Sequence, residues 1–248
     1  MEEEPLYMRA LEWVFPRRCP VCAEIVEQDC RRSRKICPDC YSRLRFVSEP
    51  RCRGCGRRIA DSAEELCGNC RRHSFHFEYG LVLLDYNEET MRSMADIKYK
   101  GRREYLDFYA EETVRRLGEQ LRRLRVDGLV PVPVHRKRRI QRGYNQAELL
   151  ARGIGRRLGL PVYPQALRRR RNTQALKELD AGQRRQALRT AIFPGKLPEN
   201  ARALLLVDDI LTTGATMESC ANALRAAGAE RIYSFCLCAK SDASSHGS

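Results

Sequence analysis

Residues 204–216 read LLLVDDILTTGAT: an apolar run, two adjacent acids and a polar loop that contains one glycine. The apolar run predicts a buried strand, and Met217 begins the apolar stripe of a helix. Amide groups at a helix start lack partners within the helix, so together with the helix dipole they can bind phosphate. We therefore predict a phosphate-binding loop that consists of Thr212, Thr213, Gly214, Ala215 and Thr216.

Asp208 and Asp209 stand at the predicted carboxyl end of that strand. Two carboxylates there suit hydrogen bonds from the 2′ and 3′ hydroxyls of a ribose, or contact with a hydrated Mg²⁺ ion. An ordinary capped turn would explain the apolar run, but not two acids followed by TTGAT. The chain contains no GxxxxGK(S/T) loop, and Gly153, Gly155 and Gly159 have the wrong spacing for GxGxxG. The pattern favours a sugar-phosphate site.

Beyond residue 75, segments with strand character alternate with segments of helical periodicity. Strands are predicted at residues 79–86, 128–134, 203–207 and 231–238. Helices are predicted at residues 104–125, at 145–158 and from Met217 onward. Strands interleaved with helices predict an α/β fold in which helices cover both faces of a parallel sheet. In such sheets ligands bind beyond the carboxyl ends of the strands, where the two acids and the loop are expected.

The first 70 residues hold nine of the 12 cysteines. Eight of these form four CxxC pairs: Cys19 and Cys22, Cys37 and Cys40, Cys52 and Cys55, Cys67 and Cys70. Two residues between thiolates let both sulfurs face one cation, and two such pairs complete a tetrahedral zinc site. Sites made from consecutive pairs need the shortest loops, and we favour them over an interleaved arrangement. We expect two structural zinc ions and a spare thiol at Cys30.

The change in cysteine content predicts a boundary between two domains. Residues 1–75 would be a double zinc-ribbon module, and residues 76–248 would be the α/β domain. The module is too small to fold on an apolar core of its own, so bound metal would staple it. A contact surface for nucleic acid or protein is the alternative, which the following basic residues support: Arg31, Arg32, Arg34 and Lys35. Stapling is the interpretation that we favour.

Lys and Arg total 46 against 32 Asp and Glu, which gives a formal charge of +14. This surplus favours anionic partners such as phosphorylated metabolites or nucleic acid, although a solvated basic surface explains many of the charges. The N-terminus is acidic where a signal peptide would be basic, and no apolar run approaches the roughly 18 residues of a membrane helix. We expect a cytoplasmic protein without an integral membrane segment, in which cysteines bind metal and do not form disulfides.

The stretch LLLVDDILTTGAT closely resembles the phosphoribosyl pyrophosphate signature of type I phosphoribosyltransferases. Other features resemble the ComF (ComFC) family of competence proteins. They are PVPVH at residues 131–135 with RGYNQ at 142–146, the element KYKG at 98–101, and the order of zinc ribbon before α/β domain. The resemblance covers nearly the whole chain. It implies a type I phosphoribosyltransferase-like sheet preceded by a small zinc-ribbon module.

The resemblance also implies that the α/β domain binds phosphoribosyl pyrophosphate together with Mg²⁺. Asp208 and Asp209 would be the catalytic pair that contacts the ribose hydroxyls, directly or through Mg²⁺, and residues 212–216 would hold the 5′-phosphate. Residues 135–139 would be the pyrophosphate loop, and residues 168–188 a mobile loop that closes over the substrate. Leu176 and Ala187 stand where the family often has Gln and Asn, so substrate binding is better supported than transfer.

Basic residues near the predicted site are candidates for neutralising a departing pyrophosphate: Lys98, Arg136, Lys137, Arg138 and Arg142. Solvated loops would explain about half of these charges as well. His135 is a candidate general base by position alone, and a turn residue satisfied by the backbone is an equal alternative.

Two functions fit the sequence. The first is a phosphoribosyltransferase whose acceptor the sequence does not identify. The second is a non-catalytic accessory of DNA uptake that binds single-stranded DNA, with a pocket that senses a nucleotide. The basic runs HRKRRIQR and RRRR favour the second function, but Tyr144 is the one aromatic near them in the sequence.

Overall fold

A parallel sheet forms the framework of the computed structural model, which describes residues 16–26, 35–73, 75–169 and 191–240. The sheet consists of β1 (Tyr79–Asp85), β2 (Gly128–Pro131), β5 (Ala203–Leu211) and β6 (Arg231–Ala239), in the spatial order β1-β6-β5-β2. Every neighbouring pair of these strands is parallel. A short antiparallel pair, β3 (Leu167–Arg169) with β4 (Ile192–Pro194), lies outside the sheet. The predicted parallel α/β sheet is confirmed.

Helices cover both faces of the sheet. They are α1 (Pro38–Arg43), α2 (Gly68–Arg72), α3 (Glu88–Tyr99), α4 (Tyr105–Arg123), α5 (Arg136–Arg142), α6 (Gln146–Leu158) and α7 (Ala215–Ala226). Alternate residues of β5 enter two separate hydrophobic cores, because successive side chains of a strand face opposite ways. Leu205 and Val207 pack with α4 and α6, whereas Leu204 and Leu206 pack with α7 and the β3–β4 pair.

The connections that leave β2 and β5 run to opposite faces of the sheet. The chain after β2 passes through α5 and then enters α6 on one face, and the chain after β5 enters α7 on the other. The pairing of β2 with β5 ends at Pro131 and Val207, while β5 stays paired with β6 as far as Leu211. Adjacent strands whose following helices diverge leave a crevice at their carboxyl ends, which is the usual ligand site of such sheets. The residues after Val207 lie at this crevice.

Two boundaries near this crevice differ from the sequence predictions. The strand predicted at residues 203–207 continues to Leu211, because β6 offers backbone partners up to Ala239. Asp208 and Asp209 therefore belong to the strand itself. The following helix begins at Ala215 and not near Met217, so Ala215 and Thr216 form its first turn and not part of a loop.

Four described elements beyond residue 75 escaped prediction, because none of them shows a long apolar stripe in the sequence. Helix α3 begins with a capping box between Asn87 and Thr90, a local signal independent of hydrophobic periodicity. Helix α5 buries none of its residues and is bounded by His135 and by left-handed Gly143. It replaces most of the turn predicted at residues 135–139. The strands β3 and β4 have three residues each, too few for an alternating pattern.

The cysteine-rich part and the sheet share hydrophobic cores. The Val47 N–H donates to the Leu83 carbonyl at 2.9 Å, and the Asp85 N–H donates to the Arg45 carbonyl at 2.8 Å. At Gly80 the two parts touch so closely that a Cβ atom would lie 2.6 Å from the Cys55 carbonyl. The domain boundary near residue 75 stays a prediction, but the parts on either side of it are not packed independently. No described helix has both the length and the apolar character that crossing a bilayer requires.

Candidate functional site

Asp208 and Asp209 lie on opposite sides of β5, as consecutive strand residues must. Asp209 is 5% exposed and forms an ion pair with the Lys98 ammonium at the end of α3. Asp208 is half-buried, lies opposite Cys236 in the sheet register, and accepts a hydrogen bond from the Asp209 N–H at 2.8 Å. The two carboxylates thus have different partners: one is neutralised by a lysine, and the other remains at the crevice.

The pKa values of the two acids shift in opposite directions. Burial, and then the neighbouring Asp209 charge, raise the pKa of Asp208 well above its ordinary value. Burial also disfavours the charged form of Asp209, but the Lys98 ammonium outweighs it and lowers the pKa of Asp209. For Lys98, burial is in turn outweighed by the Asp209 charge, which raises the pKa of the ammonium. A divalent cation or hydrogen-bond donor at Asp208 would relieve the remaining electrostatic cost.

The block RGYNQ builds the wall next to Asp209, a role that the sequence motif did not reveal. The Tyr144 hydroxyl donates to the Ile97 carbonyl, adjacent to Lys98. Asn145 donates to the Val132 carbonyl at 3.0 Å and accepts from the Ala147 N–H at 3.1 Å, which joins β2 to the start of α6. Gln146 is 5% exposed, accepts a hydrogen bond from Arg142 at 3.1 Å, and lies close enough to Asp209 to help lower its pKa. These polar side chains line the wall of the crevice next to the Asp209 carboxylate.

A cavity of about 350 Å³ opens next to Lys98, between α3 and α5. Three of the predicted basic residues line it, namely Lys98, Arg138 and Arg142, and they are joined by the following neighbours: Tyr99, Gly101, Gln141 and Tyr144. His135, Arg136 and Lys137 do not line it, although they were predicted to join the same site. Arg136 and Lys137 are exposed on α5. A ring nitrogen of His135 accepts a hydrogen bond from the Lys137 N–H at 3.2 Å, so His135 caps the start of α5. This contact supports the alternative interpretation of His135 as a turn residue that the backbone satisfies.

The predicted phosphate loop lies on the other side of β5 from that cavity. Thr212 and Thr213 are exposed, and Gly214 adopts left-handed backbone angles with φ of 81° immediately before α7. A Cβ atom on Gly214 would also lie 2.6 Å from the Phe75 ring, so two constraints require glycine there. The loop therefore presents its threonines and the first N–H groups of α7 at the crevice.

The arginine-rich segment falls largely outside the described residues. Arg168 and Arg169 belong to β3, whereas Arg170, Arg171, Leu176 and Ala187 are not described, nor is Cys30. Burial lowers the pKa of Arg169, which also lies within electrostatic range of Asp208 and Arg138. Arg169 thus places a basic group on the same side of the sheet as Asp208.

The eight CxxC cysteines form two zinc-binding sites of four cysteines each. One contains Cys19, Cys22, Cys37 and Cys40, and the other contains Cys52, Cys55, Cys67 and Cys70; the sulfurs of each set lie within 4.8 Å of one another. The Cys22–Cys37 and Cys55–Cys67 sulfur distances are 3.6 and 3.7 Å. A tetrahedron with Zn–S bonds of about 2.3 Å has edges of about 3.8 Å, so both sets fit zinc. Consecutive pairs share a site, and the interleaved alternative is wrong.

Hydrogen bonds to sulfur complete the zinc sites. Arg43 donates to Cys40 and Arg57 to Cys55, both at 3.3 Å, and the Cys67 N–H donates to Cys52 at 3.2 Å. Burial and the neighbouring sulfurs raise the pKa of Cys40 to about 11, because four thiols crowd together. A bound divalent cation offsets that cost, and donors to sulfur orient the ligands around it.

Two families match parts of the chain: the double zinc ribbon domain over residues 10–71 and the phosphoribosyl transferase domain over residues 178–246. Competence protein F of Haemophilus influenzae is 29% identical over 208 residues, or 79% of this chain and 87% of that protein. DNA utilization protein YhgH of Escherichia coli K12 is 30% identical over 210 residues, 82% of this chain and 89% of that protein. Competence protein ComFC of Bacillus subtilis is 27% identical over 214 residues, 82% and 83% of the respective chains.

We expect two zinc ions per chain by elemental analysis, one for each set of four cysteines. Cys40→Ser and Cys70→Ser should each lower the content to one ion, because each variant removes one ligand from one set. Cys220→Ala, which removes a buried thiol outside both sets, should leave it at two. One zinc or none in the unaltered chain would contradict the assignment.

The opposite environments of the two acids predict opposite effects on stability. Asp208→Asn should raise the free energy of unfolding by about 1 kcal/mol at pH 7, because it removes a charge that burial and Asp209 disfavour. Asp209→Asn should lower it by about 3 kcal/mol, because Lys98 is then buried without its counter-ion.

The gain from Asp208→Asn should depend on pH. The folded state holds the Asp208 proton more tightly, so the acid costs no stability below pH 3.8 and costs more as pH rises through the raised pKa. Urea unfolding at several pH values measures both variants. A loss of stability in Asp208→Asn at pH 7 would contradict the described environment.

Proposed function

Because this chain belongs to the ComF (ComFC) family of competence proteins, we propose that it binds phosphoribosyl pyrophosphate with Mg²⁺ and transfers the phosphoribosyl group to an acceptor. The observation that carries the proposal is the half-buried Asp208 at the crevice between β2 and β5, beside the N-terminus of α7. The names of the relatives, competence and DNA utilization proteins, support a role in DNA uptake. The cytoplasmic location stays a prediction.

The three parts of the substrate would occupy three neighbouring regions. The 5′-phosphate would accept hydrogen bonds from the N–H groups and threonine hydroxyls of residues 212–216. The ribose hydroxyls would donate to Asp208, the carboxylate that forms no ion pair with a lysine among the described residues. The pyrophosphate would lie in the cavity lined by Lys98, Arg138 and Arg142. Lys98 lines the cavity and forms its ion pair with Asp209, the sequence neighbour of Asp208.

Carboxylate oxygens suit Mg²⁺, and Asp208 is the acid that a cation would stabilise most, since its charge is otherwise opposed by Asp209. When bound, Mg²⁺ would supply positive charge to the pyrophosphate oxygens. The chain's own basic residues would add to that charge as pyrophosphate leaves the anomeric carbon. The developing positive charge on the sugar needs no covalent nucleophile. It would face Asp208, whose negative charge favours that state.

Isothermal titration calorimetry with phosphoribosyl pyrophosphate and Mg²⁺ tests the binding step. We expect saturable binding that requires Mg²⁺, and a loss of about 100-fold in affinity for Asp208→Asn, because one charged contact to ribose or cation is removed. The matched control, Asp61→Asn, changes an exposed acid next to the second zinc site and should bind normally. Zinc content should be unchanged in both variants. The proposal fails if the zinc-loaded, unaltered chain shows no binding heat or binds equally without Mg²⁺.

Binding of single-stranded DNA is a second candidate function, and the position of Tyr99 favours it. The Tyr99 side chain is 77% exposed, and the Arg142 guanidinium lies 5.6 Å from the centre of its ring. The exposed basic residues of α5 continue from this point. The sequence placed only Tyr144 near the basic run, whereas the fold adds an exposed aromatic ring. A ring beside a basic helix suits base stacking combined with phosphate contacts.

We expect Tyr99→Ala to weaken binding of a dye-labelled oligothymidine by about 10-fold, because one stacked base loses its platform. Tyr99→Phe keeps the ring and should bind as the unaltered chain does. Met91→Ala removes another exposed apolar residue of α3 and serves as the control. Fluorescence anisotropy at several salt concentrations measures the affinities. Equal affinities for Tyr99→Ala and the control, or affinities independent of salt, would remove this candidate.

A further inference from the structure

Arg57 links the second zinc site, which consists of Cys52, Cys55, Cys67 and Cys70, to the predicted phosphate loop. The Arg57 side chain is 5% exposed, and its guanidinium donates two hydrogen bonds. Its Nε–H donates to the zinc-ligand sulfur of Cys55 at 3.3 Å, and its Nη2 donates to the Thr212 carbonyl at 2.6 Å. One rigid planar group thus joins a zinc ligand to the first residue of the loop.

Asn69 makes a second bridge one residue further along the loop. It lies on α2, between the zinc ligands Cys67 and Cys70, and its side-chain amide donates to the Thr213 carbonyl at 2.9 Å. The backbone position of Asn69 is therefore set by the same metal site. Two consecutive loop carbonyls, those of Thr212 and Thr213, accept from residues that the second zinc site holds in place.

Clamping a carbonyl also orients an N–H group. In a trans peptide the carbonyl and the following N–H point in opposite directions. With both carbonyls turned toward the zinc site, the N–H groups of Thr213 and Gly214 point away from it. Among the described residues, neither N–H donates a hydrogen bond. Consecutive free N–H groups directed to one side form a concave anion-binding surface.

Arg57 also changes the charge behind the loop. Four thiolates around Zn²⁺ leave a net charge of about −2, which would repel a phosphate on the far side of the loop. The positive Arg57 group stands between that centre and the Thr212 carbonyl, and it offsets part of the repulsion. A neutral hydrogen-bond donor at this position could hold the carbonyl but could not offset the charge.

Phe75 and His76, which follow the second zinc site in the sequence, contact the loop and the start of α7 on the side away from the crevice. Phe75 packs against Gly214 with no room for a Cβ atom, and the His76 N–H donates to Glu218 of α7 at 2.7 Å. These contacts leave the crevice side of the loop open. They support the view that the cysteine-rich part holds the loop in a ligand-ready shape.

We propose that Arg57 and Asn69 are positioning residues through which the second four-cysteine site shapes the phosphate loop and raises its affinity for a phosphorylated sugar. The identity of the ligand rests on the function proposed above, but the effect on loop order does not. The zinc site thereby gains a role beyond stapling its own segment.

Four variants of the full, zinc-loaded chain test this inference: Arg57→Gln, Arg57→Lys, Asn69→Ala and the control Arg53→Gln. Arg53 lies between Cys52 and Cys55 in the sequence, and its side chain is 73% exposed and pairs with Glu65. By calorimetry with phosphoribosyl pyrophosphate and Mg²⁺, we expect about 10-fold weaker binding for Arg57→Gln and for Asn69→Ala. Arg57→Lys, which keeps the charge but loses the planar fork, should fall between Arg57→Gln and the unaltered chain. The control should bind normally.

Hydrogen–deuterium exchange without ligand provides the second readout. Peptides that cover residues 208–218 should exchange faster in Arg57→Gln and Asn69→Ala than in Arg53→Gln, while zinc content stays at two ions per chain. If Arg57→Gln loses zinc or fails to fold, Asn69→Ala decides, since Asn69 donates to no zinc ligand. Exchange and affinity that both match the control would overturn the inference. Faster exchange in a chain that binds no phosphoribosyl pyrophosphate would support the positioning role and refute the proposed function.

Discussion

The alternation of side chains along β5 is the constraint on which the site depends. Two adjacent acids in a strand cannot face the same way. Asp209 therefore lies on the side of the sheet that α6 covers, and Asp208 lies on the side that α7 covers. Lys98 neutralises Asp209. The charge of Asp208 at the crevice stays disfavoured by burial and by the neighbouring Asp209. A pair of identical residues thereby acquires two roles: one secures Lys98 next to the basic cavity, and the other is available to a ligand.

The zinc sites extend this arrangement, because they belong to the same packed structure as the sheet. Backbone hydrogen bonds join Val47 to Leu83, and Gly80 lies against Cys55 without room for a side chain. Metal binding in the cysteine-rich part would therefore fix Arg57, which donates to the Thr212 carbonyl of the loop. A small segment held by metal can be rigid where an apolar core of equal size would not form. That rigidity suits the anion-binding role proposed for the N–H groups of the loop.

The sheet, the helices α4, α6 and α7 and both cysteine sets were predictable, because each leaves a strong local pattern. Apolar runs, helical periodicity and CxxC spacing are all read within a few residues. The roles of Gln146, Arg57 and Asn69 were not predictable, since each depends on residues that meet only after folding: Arg57 and Thr212 are 155 positions apart. Sequence proximity likewise predicted that His135, Arg136 and Lys137 share a site with Arg138. The fold separates them, because only some of the basic residues of α5 line the cavity.

A crystal structure of the zinc-loaded chain grown with phosphoribosyl pyrophosphate and Mg²⁺ would show where the ligand lies. We expect the 5′-phosphate within about 3 Å of the Thr213 and Gly214 nitrogens, and the ribose hydroxyls at the same distance from Asp208. Asp209 should keep its contact with Lys98 or share that lysine with the pyrophosphate. A ligand bound elsewhere, with the crevice between β2 and β5 empty, would refute the proposed site.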